Sequence, residues 1–179
     1  MVDLSILALL LVIALVFLPV ILNPNSNPPP IPSFAAHRNL ISEDLTNLQR
    51  NKLNILEIGT GWGGMLSSLL TVETVRSITS IELSPFLYCY NKLAFYREPR
   101  AKLLLGNISN HKYQDLISSS DVIVLYMSRT ILELVLSKAK PGAIIYSVEF
   151  GIKDKSLYGS NTCIRLSSDI YSVFRFEKR

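Results

Sequence analysis

The chain has 179 residues, of which 18 are Lys or Arg and 14 are Asp or Glu, and its formal net charge is +4. This length allows one main domain, and the basic residues form no run of the kind that binds nucleic acid. Two cysteines cannot build a disulfide framework, and no Cys/His cluster has zinc-site spacing, so we expect a reducing compartment and no metal.

The first feature along the chain is an uncharged apolar run of nineteen residues, Leu4 to Leu22. A helix of this length, at about 1.5 Å per residue, can just cross a hydrocarbon core of about 30 Å. Asp3 and no basic residue precedes the run, and no small-residue cleavage site follows it, which disfavours a removed signal peptide. A retained transmembrane helix over 4–22 is predicted, with a buried core helix as the alternative.

The distribution of basic residues predicts the orientation of this helix. All 18 Lys and Arg follow the run, beginning with Arg38, so the rest of the chain is expected on the cytoplasmic or matrix side. The isoelectric point near 9.1 suits a domain held close to anionic headgroups. We therefore expect a single-pass membrane protein with the bilayer as a partner.

The segment over 23–33 contains five of the nine prolines, which predicts an extended, semi-rigid spacer before a domain over 34–179. Apolar residues at helical spacing predict a helix over 34–50, with Ser33 as its N-cap. Beyond it, apolar strand-like runs alternate with helical patterns. The predicted strands are 53–58, 77–83, 101–105, 121–126 and 143–148, and the predicted helices are 63–70, 85–97 and 129–138, with a weak turn near 113–117.

This alternation of short segments predicts an α/β fold with a doubly wound parallel sheet. Two further strands are expected over 162–166 and 171–177, joined as a C-terminal hairpin. Five parallel strands followed by a hairpin are typical of a Rossmann-like class I methyltransferase sheet rather than of a dinucleotide-binding sheet.

A glycine-dense turn after the first predicted strand indicates a nucleoside-cofactor site. Gly59, Gly61 and Gly63 alternate behind Glu57, and glycines allow a ligand to lie against the backbone. Glu82 closes the next apolar strand, where a carboxylate suits the hydroxyls of a ribose.

Two cofactors fit this turn. Gly59-x-Gly61-x-x-Gly64 satisfies the dinucleotide fingerprint, whereas Glu57-x-Gly59-x-Gly61-x-Gly63 satisfies the acidic pattern of class I methyltransferases. The second pattern also accounts for Glu57, which is costly to bury without a cationic partner. The chain has no length for a second nucleotide-binding half, so S-adenosylmethionine is expected, with an NAD-binding Rossmann protein as the less favoured alternative.

Three segments, LEIGTGWGG, SITSIELSP and D-V-x-x-x-Y-x-S followed by K-P-G-A, resemble a known family. They are similar to membrane-anchored class I methyltransferases related to the mitochondrial protein-lysine methyltransferases that modify the adenine nucleotide translocase and the ATP synthase c-subunit. The resemblance implies S-adenosylmethionine-dependent N-methylation of lysine behind an N-terminal transmembrane helix. The chain departs from that family at Trp62, where Asp is common, and at Asn107, where Asp often meets the adenine.

The predicted cofactor site combines these residues. Glu57 is expected to hold the methionine amino group, with capping of the glycine turn as the alternative. Asn107 should line the adenine or else only form a turn, and Trp62 should cover the pocket mouth or pack on a neighbouring helix. The predicted cofactor-binding residues are Glu57, Gly59, Gly61, Gly63, Glu82, Leu83, Asn107 and Ile108.

The predicted catalytic residues are Tyr126, Ser128 and Glu149, which follow the fourth and fifth strands. Tyr126 is alternatively a core aromatic residue, and Glu149 is alternatively a salt-bridge partner. The small size leaves no residues for a lid, so a large acceptor is expected, and lysine of a membrane protein is preferred. A lipid or quinone headgroup is the rival acceptor, and a scaffold that binds the cofactor without turnover is the rival outside enzymes.

Overall fold

The computed structural model describes residues 5–7, 34–50, 52–126, 129–148, 162–167 and 172–178. Strands and helices alternate along most of the chain. The strands are β1 (Leu53–Ile58), β2 (Val75–Glu82), β3 (Ala101–Leu105), β4 (Val122–Leu125), β5 (Ile144–Val148), β6 (Thr162–Ser167) and β7 (Ser172–Glu177). The helices are α1 (Ala35–Asn47), α2 (Gly64–Leu70), α3 (Pro85–Ala94), α4 (His111–Ser119) and α5 (Arg129–Lys138).

The seven strands form one sheet in the order β3-β2-β1-β4-β5-β7-β6. Strands β1 to β5 are parallel, and β7 runs antiparallel to both β5 and β6. The predicted parallel sheet with a C-terminal hairpin is therefore confirmed. The strand order reverses between β1 and β4, and open parallel sheets bind ligands at the carboxyl ends of the strands at such a point.

Two apolar layers cover the sheet, because successive strand residues face opposite sides. Leu53 and Ile55 of β1 pack in one layer, which includes buried residues of α1 and α2. Leu56 and Ile58 pack in the other layer with residues of α4 and α5. Glu57 follows the alternation of the first pair, so its carboxyl group lies on the α1/α2 side of the sheet.

The element boundaries differ from the predicted ones most at three helices, and the first of them, α1, ends at Asn47 rather than at the predicted residue 50. The weak turn expected near 113–117 is a full helix, α4, which begins after Asn110, whose side chain accepts a hydrogen bond from the Lys112 backbone. Helix α3 ends at Ala94, three residues before the predicted Arg97. Helix α1 begins after Phe34, which makes no side-chain cap, and Ser33 lies outside the described residues.

Most of the apolar run over 4–22 and the proline-rich spacer over 23–33 lie outside the described residues. Residues 5–7 of the run are helical. Within the described ranges, no helix is both long and apolar enough to span a membrane. The transmembrane helix thus stays a prediction from the sequence.

A polar contact joins helix α1 to strands β5 and β7. The hydroxyl of Tyr146, a fully buried residue of β5, donates to Asp44 Oδ2 at 2.5 Å. Arg175 of β7 places Nη1 3.4 Å from Asp44 Oδ1. Burial and the neighbouring Asp44 carboxylate raise the pKa of the Tyr146 hydroxyl, which therefore stays a donor.

Removing this donor should destabilise the fold. Tyr146→Phe leaves the half-buried Asp44 with Arg175 alone, and loss of a hydrogen bond to a charged group costs about 2 kcal/mol. Urea unfolding of the detergent-solubilised full chain, followed by circular dichroism, measures this loss. Tyr90→Phe is the matched control because Tyr90 is 45% exposed. Equal losses for both variants would show that the contact does not stabilise the fold.

Candidate functional site

The turn between β1 and α2 depends on three glycines with left-handed backbone angles. The φ angles of Gly59, Gly61 and Gly63 are +85°, +55° and +77°. A Cβ atom on Gly63 would lie 2.3 Å from Asn91 Oδ1 of α3, so close packing also requires glycine there. A Cβ atom on Gly61 would have no atom of the described structure within 4 Å. The turn is therefore open at Gly61 and closed at Gly63.

Glu82, the last residue of β2, holds this turn in place. Its Oε2 atom accepts a hydrogen bond from the Gly61 backbone N–H, and its Oε1 atom accepts one from Ser84 N–H, both at 2.8 Å. The residue is 6% exposed, and burial raises the pKa of its carboxyl group while these backbone donors oppose the rise. A carboxylate offers about four acceptor positions, so capacity for ribose hydroxyls remains and that role stays a prediction.

Glu57 lies one strand away, near the end of β1, and is 2% exposed. Its Oε2 atom accepts a short hydrogen bond from the hydroxyl of Ser80, the residue paired with it on β2. Its Oε1 atom is buried and accepts no hydrogen bond within the described part of the chain. Glu82, which was expected only at the ribose, thus caps the glycine turn, and the described residues show no such contact for Glu57, for which capping was the alternative.

The environment of Glu57 disfavours its charged form. Burial raises the pKa of this carboxyl group from 4.5 to about 8, and the nearby Glu82 adds to the rise. The Ser80 hydroxyl and the Leu66 backbone amide lower the pKa but do not offset burial. A cation placed beside Oε1 would favour the carboxylate.

Asn91 is a buried polar residue of α3 that the sequence reasoning missed. Its Nδ2 atom donates to the carbonyl oxygens of Gly61 and Leu87, both at 2.8 Å. It therefore ties helix α3 to the open part of the glycine turn. The available signal was an amide four residues after Leu87, on the inward stripe of an amphipathic helix.

The residues expected at the adenine are arranged differently from the prediction. Asn107 is exposed, and its Oδ1 atom accepts a hydrogen bond from Ser109 N–H at 2.9 Å, which is the turn alternative. Ile108 is 2% exposed and packs in the core layer beside α4. Two apolar side chains at the same edge are exposed, Leu83 at 37% and Leu105 at 41%, and Leu105 was not predicted.

Trp62, which directly follows Gly61 in the glycine turn, packs against helix α3. Its ring meets Phe86 edge-on at a centroid distance of 6.3 Å and Tyr90 at 5.7 Å. The alternative in which Trp62 packs on a neighbouring helix is confirmed.

Of the three predicted catalytic residues, only Tyr126 lies within the described part. It follows β4, its hydroxyl oxygen is buried, and its ring contacts His37 of α1 at a centroid distance of 5.8 Å. Ser128 and Glu149 lie outside the described residues. The catalytic roles stay predictions, and Tyr126 packs as a partly buried aromatic residue against the core.

Comparison with known proteins supports the fold but no family. No protein-family model and no curated protein matches the chain. Among solved structures, a protein described as a methyltransferase from Escherichia coli matches with a TM-score of 0.60 and 13% identity, over 83% of this chain and 89% of that one. A protein from Methanococcus maripaludis, described as S-adenosylmethionine-dependent, matches with a TM-score of 0.60 and 16% identity, over 81% and 86%.

The same fold carries other chemistry. The [4+2]-cyclase SpnF matches with a TM-score of 0.53 and 16% identity, over 68% of this chain and 48% of that one. The chain therefore has the Rossmann-like fold of these structures, one of which is described as an S-adenosylmethionine-dependent methyltransferase. The reaction has to be argued from the site.

The buried carboxyl of Glu57 predicts how stability depends on pH. Below about pH 4.5 the Glu57 carboxyl group is protonated in both the folded and the unfolded chain. Between about pH 4.5 and pH 8 it is ionised in the unfolded chain and protonated in the folded chain. Wild-type stability should therefore fall relative to Glu57→Gln as pH rises through this window, by a few kcal/mol at most.

Urea unfolding of wild type and Glu57→Gln at several pH values measures the difference between their free energies of unfolding. A cost of the introduced amide that does not depend on pH adds a constant to this difference and leaves its trend with pH unchanged. Glu133→Gln, at an exposed position of α5, is the matched control and should show no such trend. A difference between Glu57→Gln and wild type that does not change with pH would contradict the assigned burial.

Proposed function

We propose that this chain is an S-adenosylmethionine-dependent methyltransferase, anchored by the run over 4–22, that N-methylates a lysine of a membrane protein. The observation that carries the cofactor assignment is the buried Oε1 atom of Glu57, which accepts no hydrogen bond of good geometry from the described residues and precedes the open turn at Gly61. A buried carboxyl group without a full set of partners is costly unless a cation or donor meets it.

The α-amino group of S-adenosylmethionine suits this oxygen. An ammonium at Oε1 would lower the raised pKa of Glu57 and complete its hydrogen bonding. The turn at Gly61 has room for a ligand to approach the backbone, and Glu82 keeps that backbone in place. These features support a fit between the residues present and the methionine end of the cofactor.

The next strand ends support a fit for the nucleoside end. The Glu82 carboxylate, which has about four acceptor positions, keeps acceptor capacity for a ribose hydroxyl beyond its backbone donors Gly61, Ser84 and Leu83. Leu83 and Leu105 expose apolar side chains at the ends of β2 and β3, where an adenine ring would gain by covering them. Asn107 is used in its own turn, so we assign the adenine contact to these leucines rather than to the Asn107 oxygen.

Bound S-adenosylmethionine supplies a methyl group on a sulfonium, which already has an excellent leaving group. The protein's task is then to position the acceptor and exclude water. A lysine nitrogen, with a reference pKa of about 10.4, must lose a proton before it attacks. We assign its orientation and deprotonation to Tyr126, Ser128 and Glu149, which follow the fourth and fifth strands in the sequence.

The membrane part of the proposal rests on sequence. The uncharged run, the proline-rich spacer and the position of every basic residue after the run favour a single-pass anchor with the domain on the cytoplasmic or matrix side. A domain held there meets membrane proteins at the bilayer surface, which favours them as acceptors over soluble metabolites.

Ligand binding tests the cofactor. Isothermal titration of the detergent-solubilised full chain should show binding of S-adenosylmethionine and none of NAD. Gly61→Arg should abolish that binding because the new side chain would enter the space open at Gly61. Gly142→Arg is the matched control. The φ angle of Gly142 is +79°, and a Cβ atom there would also meet no described atom within 4 Å. Gly142 precedes β5, at the amino ends of the parallel strands, whereas Gly61 lies at their carboxyl ends.

Both substitutions carry the same left-handed backbone strain. The control should therefore keep the affinity of the wild-type chain. Equal loss in the two variants would contradict the site, and binding of NAD alone would contradict the cofactor.

Labelling tests the acceptor. Membranes incubated with the full chain and methyl-labelled S-adenosylmethionine should show label in protein, as methylated lysine after hydrolysis, and Gly61→Arg should show none. Label confined to the lipid fraction would assign a lipid or quinone acceptor instead. Intact cofactor binding with no label in either fraction would support the non-catalytic scaffold.

A further inference from the structure

An aromatic patch covers the outer side of helix α3 next to the glycine turn. We define the aromatic patch as Trp62, Phe86, Tyr90, Leu93 and Tyr96. Tyr90, Leu93 and Tyr96 are 45%, 75% and 66% exposed. Trp62 joins them through its edge-on contacts with Phe86 and Tyr90.

Packing of helix α3 against the core does not require the side chains of the aromatic patch to be apolar. The inward side of α3 is already filled by Leu87 and Asn91, both buried, and Tyr88 and Phe95 pack against the core layer. A surface helix normally places polar residues on its outer face. Here positions 86, 90 and 93 form an outward apolar stripe at helical spacing.

Two basic residues, Lys92 and Arg97, adjoin the aromatic patch. Residues 83–102 contain four basic residues and a single acidic one, Glu98. That carboxylate is paired with Arg100, with Oε1 3.1 Å from Nε. The Arg97 guanidinium lies over the Tyr96 ring, 4.9 Å from its centroid, and Lys92 lies one residue before Leu93 on the exposed side. This surface is thus both aromatic and cationic.

We propose that the aromatic patch lies in the headgroup layer of an anionic membrane. Trp and Tyr favour the membrane–water interface, where their apolar rings and polar atoms are both satisfied, and nearby Lys and Arg are attracted to anionic lipid. The predicted extended spacer over 23–33, at about 3.1 Å per residue, would keep the domain within about 34 Å of the run over 4–22.

Docking through this surface orients the site. Trp62 belongs to both the aromatic patch and the turn that is open at Gly61, so the bilayer would border the cofactor site. An acceptor at the membrane surface then meets the site without leaving the bilayer. This inference shares only the anchor with the proposed function and does not depend on methyl transfer.

The single tryptophan of the chain makes the inference directly measurable. The full chain is reconstituted in vesicles of phosphatidylcholine with phosphatidylserine, and Trp62 fluorescence is quenched by lipids with a nitroxide near the headgroup. Quenching and a blue shift are expected in anionic vesicles. Both should decrease in pure phosphatidylcholine and at high salt, since salt screens the attraction.

Variants separate docking from simple proximity to the anchor. Leu93→Asp and Tyr96→Asp should greatly reduce quenching, whereas Ile164→Asp, a matched control at a 49% exposed position of β6, should not. Replacing Lys92 and Arg97 with Gln should weaken docking about fivefold for each cation removed.

Vesicle flotation of the same samples measures membrane attachment through the run over 4–22. Titration with S-adenosylmethionine measures whether the cofactor site is intact. A chain that floats with vesicles and binds S-adenosylmethionine, but whose Trp62 is not quenched, would overturn the docking and leave the proposed function intact. Equal quenching in Leu93→Asp and wild type would also overturn it. So would a Trp62 shift that depends on protein concentration without lipid, which would assign the patch to a second copy of the chain.

Discussion

The site depends on the hydrogen bonds that the backbone N–H groups of Gly61 and Ser84 donate to the Glu82 carboxylate. One carboxylate fixes both the glycine turn after β1 and the start of helix α3 after β2. Asn91 completes the connection, because its amide donates from α3 back to the carbonyl of Gly61. Two successive strand–helix connections are thereby held as one unit, and the open space at Gly61 is a property of that unit.

Holding the turn in this way places a second carboxyl group in an unfavourable environment. Glu57 is buried, lies close enough to Glu82 to feel its charge, and has one oxygen without a partner in the described structure. Such an arrangement costs stability in the free protein and is relieved by a ligand that carries positive charge. The same local constraint therefore links the stability of the fold to the proposed binding of a cationic ligand beside Glu57.

The sequence predicted the architecture better than the details of the site. The five parallel strands, the C-terminal hairpin and the glycine turn are confirmed because apolar runs, glycines and prolines report local backbone preferences. Helix α4 was underestimated, since its only strong signals are Tyr113 and Ile117 on one face. Asn91 and Leu105 were missed because the role of each depends on which element packs beside it, and the two alternatives for Asn107 could be separated only by its contact with Ser109.

The order of the elements, the acidic glycine pattern at residues 57–63 and the uncharged run near the N-terminus can be read from the sequence alone. The tertiary structure was needed to show that Glu82 caps the glycine turn and that Glu57 is buried with one oxygen that accepts no hydrogen bond from the described residues. Glu82 reaches the Gly61 amide because β2 lies beside β1 in a parallel register, twenty-one residues away in the chain. Packing also buries Glu57 and Asn91 and leaves Tyr90 of α3 exposed, since burial depends on neighbours across the sheet and not on positions nearby in sequence.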